Sequence, residues 1–193
     1  MCHAFLSSSN FWSLLLRIDE DLAGEVRSAG CGRCGGVLHS ARYRRKPRGI
    51  GRRVLGEGYE QRLSFCCDRD GCRRRTTPAS VRFLGRRVFL GAVVVLVTAL
   101  SAGLTGRRVA ALCAQFGVNV RTLRRWRRWW LDDFVASSLW STLRARLATP
   151  IAIARLPAAL LERCVKGDEA AQLTQVLKWI APLSTSGYSR EGN

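Results

Sequence analysis

The 193-residue chain suits one medium domain or two small ones, and its 47% hydrophobic content is enough for an ordinary core. Its formal net charge is +18, from 32 Lys and Arg against 14 Asp and Glu. Residues 40–87 hold fifteen Lys and Arg and four acids, residues 88–131 hold seven Arg and no acid, and both flanks are near neutral. Positive charge confined to the middle of the chain is not the even distribution expected if its only role were solubility. It indicates a polyanionic partner, with nucleic acid favoured over an anionic membrane surface.

The first predicted element is a helix from Asn10, a candidate cap, to about Ser28, within an N-terminal segment of residues 1–29. The apolar cluster at 11–16 is short and acids follow it directly, so no secretory signal is predicted. The expected location is the bacterial cytoplasm, in association with the nucleoid, where clustered cysteines indicate metal ligands rather than disulfides. The apolar residues of this helix recur at spacings of three and four: Phe11, Leu14, Leu15, Ile18, Leu22 and Val26.

A basic module at residues 30–84 follows, with short strands predicted at 37–45 and 62–67 around a loop at 46–58. A C-x-x-C pair precedes the first strand, and further cysteines end the second. Two thiolate clusters that flank a strand–turn–strand pattern indicate a small β zinc ribbon, and a long basic hairpin accounts for the distance between them along the chain. The candidate phosphate contacts of this module are Arg44, Arg45, Lys46, Arg73, Arg74 and Arg75.

A tetrahedral zinc site needs four ligands, and the basic module offers more than four candidates. Strand alternation favours Cys67, on the face of Leu63 and Phe65, over its neighbour Cys66, which stays as the alternative, and His39 is a weaker substitute. Four thiolates leave no open position for water, so the Zn2+ is expected to be structural rather than catalytic. The predicted ligands are Cys31, Cys34, Cys67 and Cys72.

Residues 88–104 read VFLGAVVVLVTALSAGL and carry no charge. A run of this length is at the lower edge of what spans a bilayer, and arginine pairs at 86–87 and 107–108 flank both ends, which gives no orientation signal. Because a pattern of two further helices follows directly, and their packing partner should be apolar, the run is predicted to be a buried helix. A membrane span that would anchor a basic protein is the alternative.

Residues 105–126 have the pattern of a helix-turn-helix, within a homeodomain-like three-helix domain at 86–133. Thr105 is predicted to cap the first helix, Gly117 to supply the left-handed turn and Asn119 to cap the second helix. The predicted inner positions are Val109, Leu112, Cys113, Phe116, Val118, Leu123, Trp126 and Trp130. Arginines fall on the opposite face of the second helix, where a recognition helix meets base edges and phosphates. The candidate DNA contacts are Arg107, Arg108, Asn119, Arg121, Thr122, Arg124, Arg125 and Arg128.

The C-terminal segment, residues 134–193, is predicted to be helical with a frayed tail from residue 184. Ser137 or Ser138 is a candidate cap for a helix to about residue 148, Pro157 opens one to about residue 166, and a last helix ends at Ile180. Its acids lie in short helical stretches without the alternating β and α elements of a two-metal catalytic sheet, so a non-enzyme is predicted. The expected fold is mainly α with a small β zinc ribbon, a helix-turn-helix and C-terminal helices.

The chain resembles small zinc-ribbon and helix-turn-helix proteins of bacterial mobile elements, which are similar in layout to the DNA-binding N-terminal part of insertion-sequence transposases. The resemblance covers about residues 10–135 and is carried by CGRCGGVLHSARYRRKPRG, RLSFCCDRDGCRRRTTPASVRFLGRR and RTLRRWRRWW. It implies sequence-specific binding of double-stranded DNA at or near element ends, or regulation of a neighbouring transposase. A transposase or integrase and a second copy of the chain are further candidate partners. The alternatives are a general transcriptional regulator, an RNA-binding zinc ribbon and the membrane-anchored basic protein.

Overall fold

The chain forms two compact units. One contains the chain up to Val88 and the segment from Ala181 onward, and the other is Phe89–Ile180. The architecture is mainly helical with a small antiparallel sheet, which confirms that part of the expected fold class. The computed structural model describes, apart from the side chains of residues 52 and 53, residues 4–50, 52–85, 88–147, 149–164 and 167–185.

The first described elements are a 3-10 turn, Ala4–Ser7, and the long helix α1, Ser9–Ala29. Ser8, rather than the predicted Asn10, occupies the cap position, and Gly30 ends the helix with a φ of +76°. One stripe of α1 is buried and it includes an acid, whereas Leu14, which the periodicity also placed on the apolar face, is 40% exposed. The buried residues of α1 are Phe11, Trp12, Leu15, Asp19 and Ala23.

Short strands and a short helix follow: β1 (Leu38–Ser40), β2 (Tyr43–Arg44), α2 (Arg52–Leu55), β3 (Gln61–Arg62), β4 (Phe65–Cys67) and β5 (Arg75–Thr76). Strands β1, β4 and β5 form an antiparallel sheet in that order, and β2 pairs with β3. Leu38 lies opposite Cys67 and Tyr43 lies opposite Arg62, which is the register of one long hairpin. Each of the two predicted strands is therefore interrupted once, and the predicted loop contains α2.

A buried ion pair holds α1 against the chain that follows the hairpin. The Asp19 carboxylate accepts hydrogen bonds from Nε of Arg82 at 2.7 Å and from the Ser80 hydroxyl at 2.5 Å. Arg82 also donates to the carbonyl oxygens of Tyr59 and Gln61, at 2.7 and 2.9 Å. A fully buried pair needs such a set of hydrogen bonds to offset the cost of desolvating both charges.

The second unit contains α3 (Gly91–Leu100), α4 (Gly106–Gln115), α5 (Val120–Leu131), α6 (Ser138–Ala145), α7 (Ala158–Arg163) and α8 (Glu169–Ile180). Helix α3 packs against α5, α7 and α8, so it is enclosed on several sides. This explains why the uncharged run lacks a polar face, because residues 91–98 are all buried. The run forms the predicted buried helix over ten residues. Within the described ranges, no helix combines the length and the apolar character needed to cross a membrane.

The helices of the C-terminal segment lie where the capping signals placed them. The Ser137 hydroxyl oxygen accepts a hydrogen bond from the Trp140 N–H at 3.1 Å, and Pro157 directly precedes α7. Ser184, predicted to belong to a frayed tail, is instead buried in a 3-10 turn, Ala181–Ser184, and accepts a hydrogen bond from the Ser80 N–H at 2.8 Å. The arginine pair at 86–87, the predicted helix ends at 148 and 166 and the tail from 186 lie outside the described residues.

Candidate metal centre and basic surfaces

Four cysteines converge in the first unit, with one ligand atom each. The sulfurs of Cys31, Cys34, Cys67 and Cys72 all lie within 4.8 Å of one another. The Cys31 and Cys72 sulfurs are 3.8 Å apart, and those of Cys34 and Cys67 are 3.4 Å apart. A disulfide has an S–S distance of about 2.05 Å, so these are free thiols. The four cysteines could hold a metal ion, and they are the four that the sequence predicted.

A tight loop presents the first two thiols. The N–H of Cys31 donates to the Gly36 carbonyl at 2.9 Å, and the N–H groups of Cys34 and Gly35 donate to the Cys31 carbonyl at 3.2 and 2.7 Å. Gly35 has a φ of +68°, a left-handed conformation that favours glycine. A Cβ added at Gly36 would lie 3.0 Å from the sulfur of Cys67, so a side chain there would press into the cysteine cluster.

A second turn presents the other two thiols, and strand pairing brings the two loops together. Cys67 ends β4, and the N–H of Cys72 donates to the Arg69 carbonyl at 3.1 Å. Leu38 pairs with Cys67, and the next N–H along, that of Asp68, donates to the Val37 carbonyl at 3.0 Å. The hairpin register therefore decides which sulfurs meet.

The two alternative ligands lie outside the cluster. Cys66 is next to Cys67 on β4, but successive side chains of a strand point to opposite faces. Its thiol donates to the Arg73 carbonyl at 3.5 Å instead. His39 is exposed, and its Nε2 is 3.9 Å from a carboxylate oxygen of Asp68. The arrangement selects Cys67 from the pair that the sequence left open.

The cysteines are packed in an apolar core. Cys31 and Cys67 are buried in one cluster with residues of α1 and of the hairpin, while Cys34 and Cys72 pack against its edge. The long helix is therefore part of the same core as the candidate metal ligands. The apolar members of this cluster are Ala23, Leu38, Leu63 and Phe65, with Val26 at its margin.

The thiols differ in acidity. Backbone N–H groups of Arg33 and Cys34 that donate to the sulfur lower the pKa of Cys31 to about 6. The N–H of Arg69 acts in the same way on Cys67, but burial and the neighbouring thiols outweigh it and raise the pKa of Cys67 to about 12. One thiolate thus opposes ionisation of the next. A bound dication would favour the ionised form of all four, so metal binding would release protons.

In the second unit, α4 and α5 are joined by a tight turn at 116–119. Gly117 has a φ of +60°, and the N–H of Val118, which is buried, donates to the Cys113 carbonyl at 2.8 Å. The side-chain oxygen of Asn119 caps α5 by accepting from the Arg121 N–H at 2.8 Å. Thr105 occupies the cap position of α4 without a side-chain hydrogen bond to the helix. The glycine turn and the Asn119 cap lie where the sequence predicted them.

Helix α5 is divided sharply into two faces. Leu123, Trp126 and Trp130 are buried, and the Trp126 ring meets Phe89 edge-on with a centroid distance of 5.1 Å. The arginines on the other side are all exposed, and among the described residues none of them pairs with a carboxylate. Thr122 is half-buried and accepts from Arg125 at 3.2 Å. The exposed residues are Asn119, Arg121, Arg124, Arg125, Arg127 and Arg128, with Arg107 and Arg108 on α4.

The six basic candidates of the first unit fall into two groups. Arg44, Lys46, Arg74 and Arg75 are exposed, and none of them pairs with a carboxylate in the described part of the chain. Arg45 is half-buried, donates to the Gly85 carbonyl at 3.3 Å and lies over the ring of Tyr43. Arg73 is paired with Asp70 at 2.7 Å. Arg45 therefore has an internal structural role, while the first four are free to meet an external anion.

No protein-family model, curated protein or solved structure matches this chain.

Proposed function

We propose that this chain is a zinc-stabilised protein that binds double-stranded DNA through the exposed face of α5. The observation that carries the proposal is the charge of that face. Its arginines are exposed over three turns of helix with no acid among them, and such a surface is self-repelling unless a polyanion neutralises it. The guanidinium fork matches both phosphate oxygens and the major-groove edge of guanine.

The setting of α5 supports a role as a recognition helix. It follows α4 after a turn with a left-handed glycine and a buried valine, which is the connection that helix-turn-helix proteins use. Its N-terminal half carries Arg121, Arg124 and Arg125, and in such proteins these positions meet base edges. Trp126 and Trp130 on the opposite face tie the helix to its own unit.

Zinc is the metal that the cysteine set favours. In a tetrahedral site with Zn–S bonds of about 2.3 Å, the sulfurs lie about 3.8 Å apart. The distance between the Cys31 and Cys72 sulfurs is 3.8 Å, and that between Cys34 and Cys67 is 3.4 Å. Four thiolates complete the coordination of the ion, so its proposed role is structural. It would stabilise the hairpin that carries the exposed basic side chains.

The resemblance to mobile-element proteins suggests the biological role within this class. We propose an accessory or regulatory protein that acts with a transposase or integrase at DNA sites near element ends. A neighbouring recombinase gene and terminal inverted repeats that contain the bound sequence would support this role. A bound site confined to ordinary promoters would instead indicate a general transcriptional regulator.

The DNA-binding proposal is tested on α5. Duplexes selected from a random pool provide the target, and affinity is measured for Arg124→Ala/Arg125→Ala and for a control, Arg144→Ala/Arg146→Ala, whose arginines are also exposed in the second unit. We expect the α5 variant to lose at least about thirtyfold in affinity for the selected duplex, since each of its two base contacts contributes about 1–3 kcal/mol. The control should change little. Equal losses in both, or stronger competition by RNA at the same salt, would contradict the proposal.

The zinc proposal is tested by metal analysis of the purified protein. We expect one zinc per chain, lost in Cys31→Ser/Cys34→Ser and retained in the control Cys66→Ser, because the Cys66 thiol lies outside the cluster. Full zinc content in the double variant would refute the site. Zinc loss in Cys66→Ser would show that Cys66, and not Cys67, is the zinc ligand.

A further inference from the structure

A cleft of about 270 Å³ lies in the first unit between α1 and the hairpin. Three apolar residues line the cleft and are here called its floor: Ala23, Leu63 and Phe65, which also belong to the core around the cysteine cluster. Ser40 and Ser64 line the cleft beside them. Charged side chains surround the floor, namely Glu20 and Arg27 from α1 and Arg42 from the hairpin. The cleft thus combines an apolar base with charges of both signs, and none of its residues belongs to α5.

The charged residues of the cleft have no ion-pair partner among the described residues. Glu20, Arg27 and Arg42 are exposed, and in the described residues none of them forms an ion pair or a side-chain hydrogen bond. Arg27 and Arg42 bring two guanidinium groups to the cleft against the single carboxylate of Glu20, so its charged lining is net positive and favours a bound anion. The planar guanidinium fork is well suited to phosphate, which it can bind through two parallel hydrogen bonds.

The apolar floor favours a ligand with an apolar part, because inorganic phosphate would gain no binding energy from contact with apolar side chains. The volume lies just below the range of about 300–1,000 Å³ typical of sites for drug-sized ligands, so the cleft suits one small unit with a flat apolar part. The Glu20 carboxylate can accept a hydrogen bond from an exocyclic amino group of a base, as acidic side chains do with cytosine. These requirements together describe a nucleoside phosphate with an amino-bearing base.

We propose that this cleft binds a single nucleotide, with its phosphate at Arg27 and Arg42, its base on the apolar floor and its amino group at Glu20. The nucleotide is either free or one unit of a nucleic-acid strand, and the choice of a nucleic-acid ligand rests on the proposed function. The cleft shares no residue with the proposed DNA-binding face of α5, since its lining residues belong to the first unit and α5 belongs to the second. It therefore adds a second kind of nucleic-acid contact to the chain.

Binding is measured with the zinc-loaded full chain, by calorimetry and by backbone amide shifts, using dCMP, dTMP and inorganic phosphate as probes. We expect dCMP to bind more tightly than dTMP and phosphate and to shift amides at 20–27 and 63–65. Arg27→Ala/Arg42→Ala should weaken dCMP binding about tenfold or more, because it removes charge-assisted hydrogen bonds. Arg17→Ala, which removes an exposed arginine of α1 outside the cleft, is the control.

A steric variant keeps the test independent of charge. Gly24 lines the cleft, and a Cβ there would meet nothing within 4 Å, so Gly24→Ala should leave dCMP binding intact while Gly24→Phe blocks the cleft. Zinc content and helical circular dichroism verify that both variants fold. A short 5′-phosphorylated single strand that binds more tightly than dCMP, and is blocked by Gly24→Phe, would identify a strand as the source. Binding of dCMP without the single strand would identify a free nucleotide.

Different variants test the cleft and the exposed face of α5. Arg124→Ala/Arg125→Ala should lose duplex binding and keep dCMP binding, whereas Gly24→Phe should do the reverse. Phosphate binding as tight as dCMP binding would reduce the cleft to a simple anion site and overturn the inference. So would unchanged dCMP affinity in a folded Gly24→Phe protein, or the absence of amide shifts at the cleft.

Discussion

Asp19 and Arg82 lie 63 residues apart in the chain and form a fully buried ion pair, with 2.7 Å between Oδ2 and Nε. Removing one partner leaves an uncompensated charge in the core. Asp19→Ala should therefore lower the free energy of unfolding by about 3–5 kcal/mol, measured by urea denaturation of the zinc-loaded protein. The double variant Asp19→Leu/Arg82→Met should lose less, because no charge remains buried. A loss below about 1 kcal/mol in the single variant, the range of exposed pairs, would contradict this role.

Tyr59 should impose an alkaline limit on the stability of the first unit. Burial raises the pKa of Tyr59 well above its ordinary value, and its hydroxyl has no hydrogen-bond partner among the described residues. The unfolded chain ionises this group near pH 10, while the folded chain keeps it protonated, so the stabilisation is complete below about pH 10 and falls as the pH rises further. Tyr59→Phe should weaken this alkaline loss without reducing stability at pH 7, measured as unfolding free energy against pH. Tyr43→Phe, which leaves Tyr59 in place, should retain the full alkaline loss.

Two glycines of the first cysteine loop should differ in their response to the same substitution. A Cβ at Gly36 would lie 3.0 Å from the Cys67 sulfur and 2.9 Å from the Arg69 side chain, while a Cβ at Gly32 meets nothing within 4 Å. Gly36→Ala should therefore bind zinc about tenfold or more weakly, because overpacking of this kind costs about 1–3 kcal/mol. Gly32→Ala should bind zinc normally. The check is zinc competition against a chromogenic chelator, and equal zinc affinity in the two variants would show that the loop adjusts freely.

The exposed cations of the hairpin should contribute to DNA binding without sequence preference. Arg44→Ala/Lys46→Ala should weaken all duplexes similarly and reduce the slope of log affinity against log salt by about 0.9 for each phosphate that the variant no longer neutralises. Arg45→Ala is the matched control, since Arg45 is bound to Gly85 and Tyr43. It should lower stability and leave the slope unchanged. A salt slope that falls in Arg45→Ala but not in Arg44→Ala/Lys46→Ala would show that Arg45, and not Arg44 or Lys46, contacts phosphate.

Many elements of this fold could be predicted from local patterns along the chain. The spacing of Cys31 and Cys34, the glycine turn at Gly117 and the cap at Asn119 each depend on neighbouring residues, so they could be recognised without tertiary information. The uncharged run at 88–104 predicted a buried helix for the same reason, and its residues 91–98 are buried. Two other predictions failed because a distant segment decides the outcome. Ser184 is held by Ser80, and Leu14 faces solvent because the packing partners of α1 cover a different stripe.

The candidate site also combines features set by neighbouring residues with features set by distant segments. Local sequence patterns predicted thiols on both sides of a hairpin and arginines on one face of a helix, because strand and helix periods set which neighbours share a face. Long-range packing places Cys67 and not Cys66 in the cluster, gives Arg45 but not Arg44 an internal contact, and brings Asp19 to Arg82. These outcomes depend on strand register, burial and contacts between residues far apart in the chain, and the energy that favours such contacts exists only once the segments are packed together.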